Sequence, residues 1–235
     1  MEISNADLSA CQQGGAVQTA FVNVLITAGP TREPIDPVRF LTNRSSGKMG
    51  YALADAFIHA GNHVLLISGP TELDVPDYVD FIQVQTAAEM QAAVAEHIGR
   101  MDIAVFVAAV ADYTPAVIET HKMKKTGDTL TLQLVRTPDI LGSARTELGF
   151  DGTLIGFAAE TENLEANARE KLQSKGCDLV IGNDVSSPEH GFDSDRNEVL
   201  LVYPEKTDSL SSAPKTEIAH HIVDAVMDLH RAKNL

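Results

Sequence analysis

The chain has no tryptophan, four tyrosines and two cysteines, and it sets 18 lysines and arginines against 33 aspartates and glutamates. Each shortage excludes something. Cys11 and Cys177 stand in unrelated contexts without CxxC or metal-like spacing, so neither a disulfide framework nor a zinc site is indicated, and a reducing cytoplasm is the simple setting. No window approaches the roughly 18 uninterrupted apolar residues needed to cross a bilayer. No Lys or Arg precedes an apolar segment in the first 20 residues, so a signal peptide is not expected either. The net charge of −15 repels nucleic acid and anionic membrane. GxSxG and HExxH are missing, and the eight histidines lack a carboxylate or metal frame; His220 and His221 read as helix-surface or packing residues.

What is present fits a globular protein of 235 residues, long enough to bury a sizeable core. Residues 1–20 are small and polar without periodicity and read as a tail, leaving 21–235 as a single domain. Basic residues are unevenly placed. Arg32, Arg39, Arg44 and Lys48 fall within 17 residues, and Lys122, Lys124 and Lys125 within four. In an acidic protein such clusters suit a small anionic ligand.

Strand-like and helix-like segments alternate along the chain. FVNVLIT (21–27), NHVLLIS (62–68), VDFIQV (79–84), DIAVFVAAV (102–110), TLIGFAA (153–159) and CDLVIGND (177–184) read as strands, several of them continuous apolar runs. Between them lie helical patterns at 46–61, at 86–99 with Thr86 and Glu89 as a capping box, and at 161–176, the first and last ending in Gly. TLTLQLV (129–135) alternates and reads as a half-exposed strand. EVLLVY (198–203) reads as an edge strand, followed by a polar turn region and a closing helix from about Pro214 to His230. The pattern predicts an α/β fold: a Rossmann-like, doubly wound, mostly parallel sheet with a small antiparallel excursion around residues 115–137.

In such sheets ligands bind beyond the carboxyl ends of the strands. The connection from about Thr27 to Ser45 exceeds the usual two to six residues of a βα loop and carries Pro30, Pro34 and Pro37, which limit its conformations. It leads into TNRSSGKMG (42–50). This is no Walker A loop, because Thr42 stands where the first Gly belongs and Met49 where the hydroxyl belongs. It fits GxGxxG better, with Ser45 in the first glycine position and Gly47 and Gly50 in the others. Yet the second strand ends in Ser68, Gly69 and Pro70, with no acid for a ribose, which disfavours NAD. Backbone NH groups with Ser45, Ser46 and Lys48 still make an anion site.

Further along, AAVADYTP offers small Ala108, Ala109 and Ala111, then Asp112, either a ligand or magnesium contact or an Asx-turn residue. KMKK (122–125) is either a phosphate contact or a solvated surface run. TPDIL (137–141) reads as Thr137 capping a helix with Pro138 in its first turn. Lys171 and Lys175 share one helix face, with Glu165, Arg169 and Glu170 nearby to form ordinary salt bridges.

Taken in order, TAGPTREPIDPVRFLTNRSSGKMG, AAVADY, KMKK, TPDIL, GFAAET and GND resemble the phosphopantothenate–cysteine ligases of coenzyme A biosynthesis over roughly residues 21–230. The resemblance is to the ligase half of what in many bacteria is a bifunctional chain, so it implies no decarboxylase activity and no flavin. It implies that the carboxylate of 4′-phosphopantothenate attacks a nucleoside triphosphate, CTP in bacterial members with ATP possible, giving an acyl-nucleotide and pyrophosphate. The amine of cysteine then displaces the nucleotide. It further implies Mg2+, a cytoplasmic homodimer with loops shared between subunits, Asn43 supporting the intermediate, and Lys122 at the nucleotide phosphates. Ala108, Asp112, Pro138, Asp139, Ile140, Leu141, Phe157, Lys171 and Lys175 become nucleotide contacts, while the metal ligands stay unassigned. A dinucleotide-dependent reductase and a non-catalytic nucleotide sensor are the rival readings.

Overall fold

The computed structural model describes residues 21–125, 127–186 and 194–235. The expected tail at 1–20 lies outside the described residues. Strand β1 (Asn23–Ala28) runs up the middle of the sheet and is followed by a connection folded on itself as an antiparallel pair, β2 (Arg32–Pro34) and β3 (Phe40–Thr42). Helix α1 (Lys48–His59) starts after Gly47, whose φ of +79° favours glycine. It sits close against β1 because Gly50 has no side chain; a Cβ there would lie 2.6 Å from the Ala28 Cβ. Then come β4 (His63–Ser68), β5 (Asp80–Gln83) and α2 (Ala87–His97), whose Thr86–Glu89 capping box forms as the sequence predicts.

The chain continues through β6 (Ile103–Phe106), β7 (Tyr113–Pro115), β8 (Leu134–Arg136), α3 (Ile140–Thr146), β9 (Thr153–Glu160) and α4 (Leu164–Lys175). It closes with β10 (Leu179–Asp184), β11 (Arg196–Val202), β12 (Thr207–Pro214) and α5 (Lys215–Lys233). The main sheet has the order β12-β11-β10-β9-β6-β1-β4-β5, parallel from β10 to β5 and antiparallel at β11 and β12. The strand order reverses between β1 and β6, which opens a crevice at their carboxyl ends.

Strand alternation sorts the apolar side chains into two cores. Val24, Ile26, Leu66 and Val105 face α1 and α5, while Leu25, Ile67, Ala104 and Phe106 face α2, α3 and α4. Both faces are covered, as a parallel sheet requires.

Two expectations fail. EVLLVY is not the edge: the polar stretch after it, TDSLSSAP, forms β12 and pairs antiparallel with β11. That segment lacks the branched and aromatic residues of a typical strand and is held by ladder hydrogen bonds, its polar face suiting an outermost strand. Of TLTLQLV only Leu134 and Val135 lie in a strand, because the partner β7 offers three residues to pair with. The excursion is thus smaller than its alternation suggests, and a second one, β2–β3, sits in the long first connection.

Candidate active site

The first connection is shaped by hydrogen bonds to its neighbours. Thr31 N donates to Ala109 O, the Thr31 hydroxyl accepts from Ala111 N at 3.0 Å, and Arg32 N donates to Gln85 O at 2.7 Å. Thr42 Oγ1 donates to Thr31 O at 2.7 Å, and the buried Glu33 carboxylate accepts from Ala87 N, at the start of α2, at 2.9 Å. On this scaffold Asn43 Nδ2 donates to Ala109 O and Val110 O, both at 3.1 Å. Asn43 therefore rests on the backbone after β6, beside Asp112. To donate to a reacting oxygen it must exchange one of these two bonds.

Asn43 stands at the rim of a cleft of about 850 Å³, within the roughly 300–1,000 Å³ of small-molecule sites. The ends of β1, β6 and β9 form its base, with Ala108 and Phe157 in the lining. Pro138, Asp139, Ile140 and Leu141 enter from the start of α3, and Lys171 and Lys175 from α4. The charged residues of its lining are Arg44, Arg136, Lys171, Lys175, Asp112 and Asp139, a surplus of cations in an acidic protein. This electrostatic focus selects an anion.

Thr137 does not cap α3. Its hydroxyl donates to Ala111 O at 2.5 Å, and Asp139 is the N-cap, accepting from Gly142 N at 3.0 Å. A Ser/Thr-Pro pattern places the cap before proline, but here Pro138 also stays outside the helix. Burial works against ionisation of Asp139, yet Lys175 at 2.5 Å and the Gly142 amide outweigh it and hold its carboxyl below the usual carboxylate range. Lys171 Nζ donates to Phe157 O at 2.9 Å. Desolvation lowers its pKa against the pull of Glu160, Cys177 and Asp112. The sequence offers Glu165 as a partner for these lysines; in the structure Glu165 pairs with Arg169 instead.

Ser45, Val107, Phe157 and Ala159 also line a second, smaller cleft of about 70 Å³. Ser46, Gly47, Lys48 and Gly50 supply one wall, and Asn183, Asn197 and Lys215 the other. Lys48 pairs with Asp195 at 2.6 Å, and that hydrogen bond lowers the Asp195 pKa. Lys215 is buried and donates to Ser194 O. Sequence reading missed Arg136, Asn197 and Lys215. A signal existed for Lys215, because a lysine in the first turn of a helix opposes the helix dipole.

Lys122 is exposed and lies outside the lining of both clefts. Its loop is held by Met123, whose backbone bonds to Asp36 and Arg39 on the β2–β3 turn. No group of three or more His, Cys, Asp or Glu suited to a metal exists among the described residues. His220 and His221 are exposed on α5, as expected.

A doubly wound, mostly parallel sheet with a cationic cleft at its switch point defines a Rossmann-like α/β domain. The chain belongs to the family described as the DNA/pantothenate metabolism flavoprotein C-terminal domain, whose model matches residues 20–229. It is 42% identical over 216 residues to the coenzyme A biosynthesis bifunctional protein CoaBC of Escherichia coli K12, covering 91% of this chain and 53% of that protein. Against the Bacillus subtilis CoaBC it is 51% identical over 185 residues, 77% of this chain and 45% of that one. The chain spans about half the length of the curated relatives it matches. A crystal structure of the C-terminal domain of a CoaBC protein superposes with a TM-score of 0.75 at 38% identity, over 89% of this chain and 97% of that one.

Proposed function

We propose that this protein is a phosphopantothenate–cysteine ligase of coenzyme A biosynthesis. The observation that carries the reading is the cationic cleft: Asn43 at its rim, Asp112 beside it, and Lys171, Lys175 and the Pro138–Leu141 turn on its far wall. Relatives named for coenzyme A biosynthesis match this chain over about half of their length.

The chemistry brings two anions together. A carboxylate oxygen of 4′-phosphopantothenate attacks the α-phosphorus of CTP, the bond to the β-phosphate oxygen breaks, and pyrophosphate leaves. The amine nitrogen of cysteine then attacks the acyl carbon, the bond to CMP breaks, and the amine loses a proton. The first step needs cations around the phosphates. Lys171 and Lys175 answer that need, Lys171 by exchanging the neutral Phe157 carbonyl for an anionic oxygen, a stronger charge-assisted bond. The second step develops an oxyanion, for which Asn43 Nδ2 is a neutral donor.

Mg2+ belongs to this reading through the phosphates. A nucleotide-bound magnesium usually takes one or two protein carboxylates and completes its shell with phosphate oxygens and water. Asp112 in the cleft suits that arrangement, and a dedicated carboxylate cluster is not required. When bound, the ion would neutralise charge on the leaving pyrophosphate.

The reading includes a homodimer. Val38, Phe40, Tyr113, Val117, Leu134 and Val135 are exposed on and around the two small antiparallel pairs, an apolar surface beside the Lys122 loop. A second copy seated there would bring Lys122 towards a cleft it does not line in its own subunit. A single-chain mass by sedimentation at micromolar concentration would remove this element. No helix among the described residues is long and apolar enough to cross a membrane, and the assigned chemistry carries the expectation of a cytoplasmic enzyme.

Incubation with 4′-phosphopantothenate, cysteine, Mg2+ and CTP should release pyrophosphate and CMP, with ATP as the comparison. Absence of pyrophosphate with both nucleotides sinks the reading, and binding of CTP without turnover favours a sensor. A dinucleotide reductase suits the strand order, but β4 ends at Ser68 with Gly69 and Pro70 beyond, where a ribose-binding acid would stand.

A further inference from the structure

The β2–β3 turn and the lysine loop meet at one buried carboxylate. Asp36 is 3% exposed and accepts five N–H bonds, divided between its two oxygens. Oδ1 takes the amides of Val38 and Arg39, both at 2.9 Å, and so closes the local turn. Oδ2 takes Nε and an NH2 group of Arg39 and the amide of Met123 at 3.1 Å. Arg39 completes the circuit by donating to Met123 O at 3.2 Å, and Glu119 N donates to Ile35 O at 3.0 Å. A loop rich in lysine is thus clipped at Met123, the residue next to Lys122, to the hairpin that carries Asn43.

We propose that Asp36 is a positioning residue whose Oδ2 fixes the Lys122–Lys125 loop for contact with the nucleotide phosphates. The inference rests on the ligase reading for the identity of that nucleotide and on its homodimer for bringing Lys122 to a cleft that it does not line in its own subunit. An ammonium on an exposed loop without a helix or strand beneath it loses conformational freedom when it binds a phosphate, which weakens binding. The Asp36 clip fixes the loop beforehand. Its burial protects the bonds from competing water, and the negative oxygen makes them stronger than those to a neutral acceptor. The division of labour between the oxygens gives a clean test, since Asp36→Asn can keep Oδ1 for the turn while replacing Oδ2 by an NH2 that cannot accept.

The experiment is a cycle on the full chain: wild type, Asp36→Asn, Lys122→Ala and the double variant. CTP affinity with Mg2+ is measured by calorimetry, and pyrophosphate release by KM and kcat. The expected result for Asp36→Asn, measured at a temperature where the variant is folded, is a rise of about tenfold in the Kd and KM for CTP with kcat close to wild type, alongside a lowered thermal midpoint because Arg39 and the Met123 amide lose their acceptor. In the Lys122→Ala background the same change should have no further effect, because it acts through that side chain. Independent, multiplying losses would overturn the proposal, as would an unchanged Kd for Asp36→Asn. A loss confined to thermal stability would also count against it. If Asp36→Asn fails to fold, Met123→Pro removes the same bond from the other end and leaves the 36–39 turn in place, with the same cycle expected. A wild-type protein that binds CTP without releasing pyrophosphate fails the ligase reading, and the binding cycle still decides Asp36. A protein that binds no nucleotide fails both.

Discussion

The two ends of the sheet use polar residues differently. At the amino ends of the strands connections are short and charges satisfy one another: Asp178 takes Arg145 at 2.8 Å, Lys233 at 3.0 Å and the amide of Leu154 at 2.8 Å. Asp102 there takes both the backbone amide and the side chain of Asn23. At the carboxyl ends the connections after β1 and β6 are long, and Asn43 and Lys171 rest on neutral backbone carbonyls. A carbonyl is a partner that an anionic ligand oxygen can replace at a gain; a paired carboxylate is not. The first end is built to stay closed and the second to exchange its bonds. Asp139–Lys175 and Asp36–Arg39 are ion pairs at the ligand end, and each holds a loop in place.

The largest effect that would test this contrast is at Asn43. On the proposed ligase reading, Asn43→Ala should lower conversion of the acyl-nucleotide to product by about 100-fold or more, the range for removal of an oxyanion donor. Pyrophosphate release in the first step should fall much less, and the thermal midpoint should hold, because only two bonds to carbonyls are lost. Rapid-quench measurement of both steps decides. Equal loss of pyrophosphate and product would mean that Asn43 shapes the cleft rather than serving the second step.

Much of this contrast is legible in the sequence, though unevenly. The Thr86–Glu89 cap, the glycine stops and the central apolar strands are local signals, and they hold. The four-residue spacing of Lys171 and Lys175 puts both on the cleft wall, but only the fold reveals that one binds Phe157 O and the other Asp139. Strand β12 was invisible because its Ser, Asp and Pro residues carry no strand preference; pairing with β11 supplies it. Asn197 and Lys215 reach the small cleft from the far side of the sheet, a juxtaposition set by sheet order and not by spacing. Asp36 carries no local signal of its role, because Met123, which bonds to it, lies 87 positions away.

The next effect in size lies at the closed end. Asp178→Ala leaves the Leu154 amide and two cations without their shared acceptor, at a cost of about 2 kcal/mol given the partial exposure of the site. Urea unfolding should show that loss, while kcat/KM at a temperature where the variant is folded should stay at the wild-type value. A fall in activity without a fall in stability would break the division between the two ends.

The smallest expected effect is a pH dependence at the same end. His230 Nδ1 lies 2.8 Å from Thr153 Oγ1, and burial lowers the His230 pKa, with Asp102 opposing and Lys233 assisting. The folded protein therefore binds the proton less readily than the unfolded chain, and the unfolded chain gains protons first as pH falls. Stability tied to neutral His230 is complete above the ordinary histidine value of about 6.5 and is lost as pH drops below it, until the folded form is protonated too. The carboxylates Asp36 and Asp139, held below their usual range, enter only at more acid pH. Between pH 7.5 and 5 the thermal midpoint of the wild type should fall more than that of His230→Gln, with catalysis tracking neither. Parallel profiles for the two proteins, or a wild type that gains stability on acidification, would show that His230 is not a titrating part of the closed end.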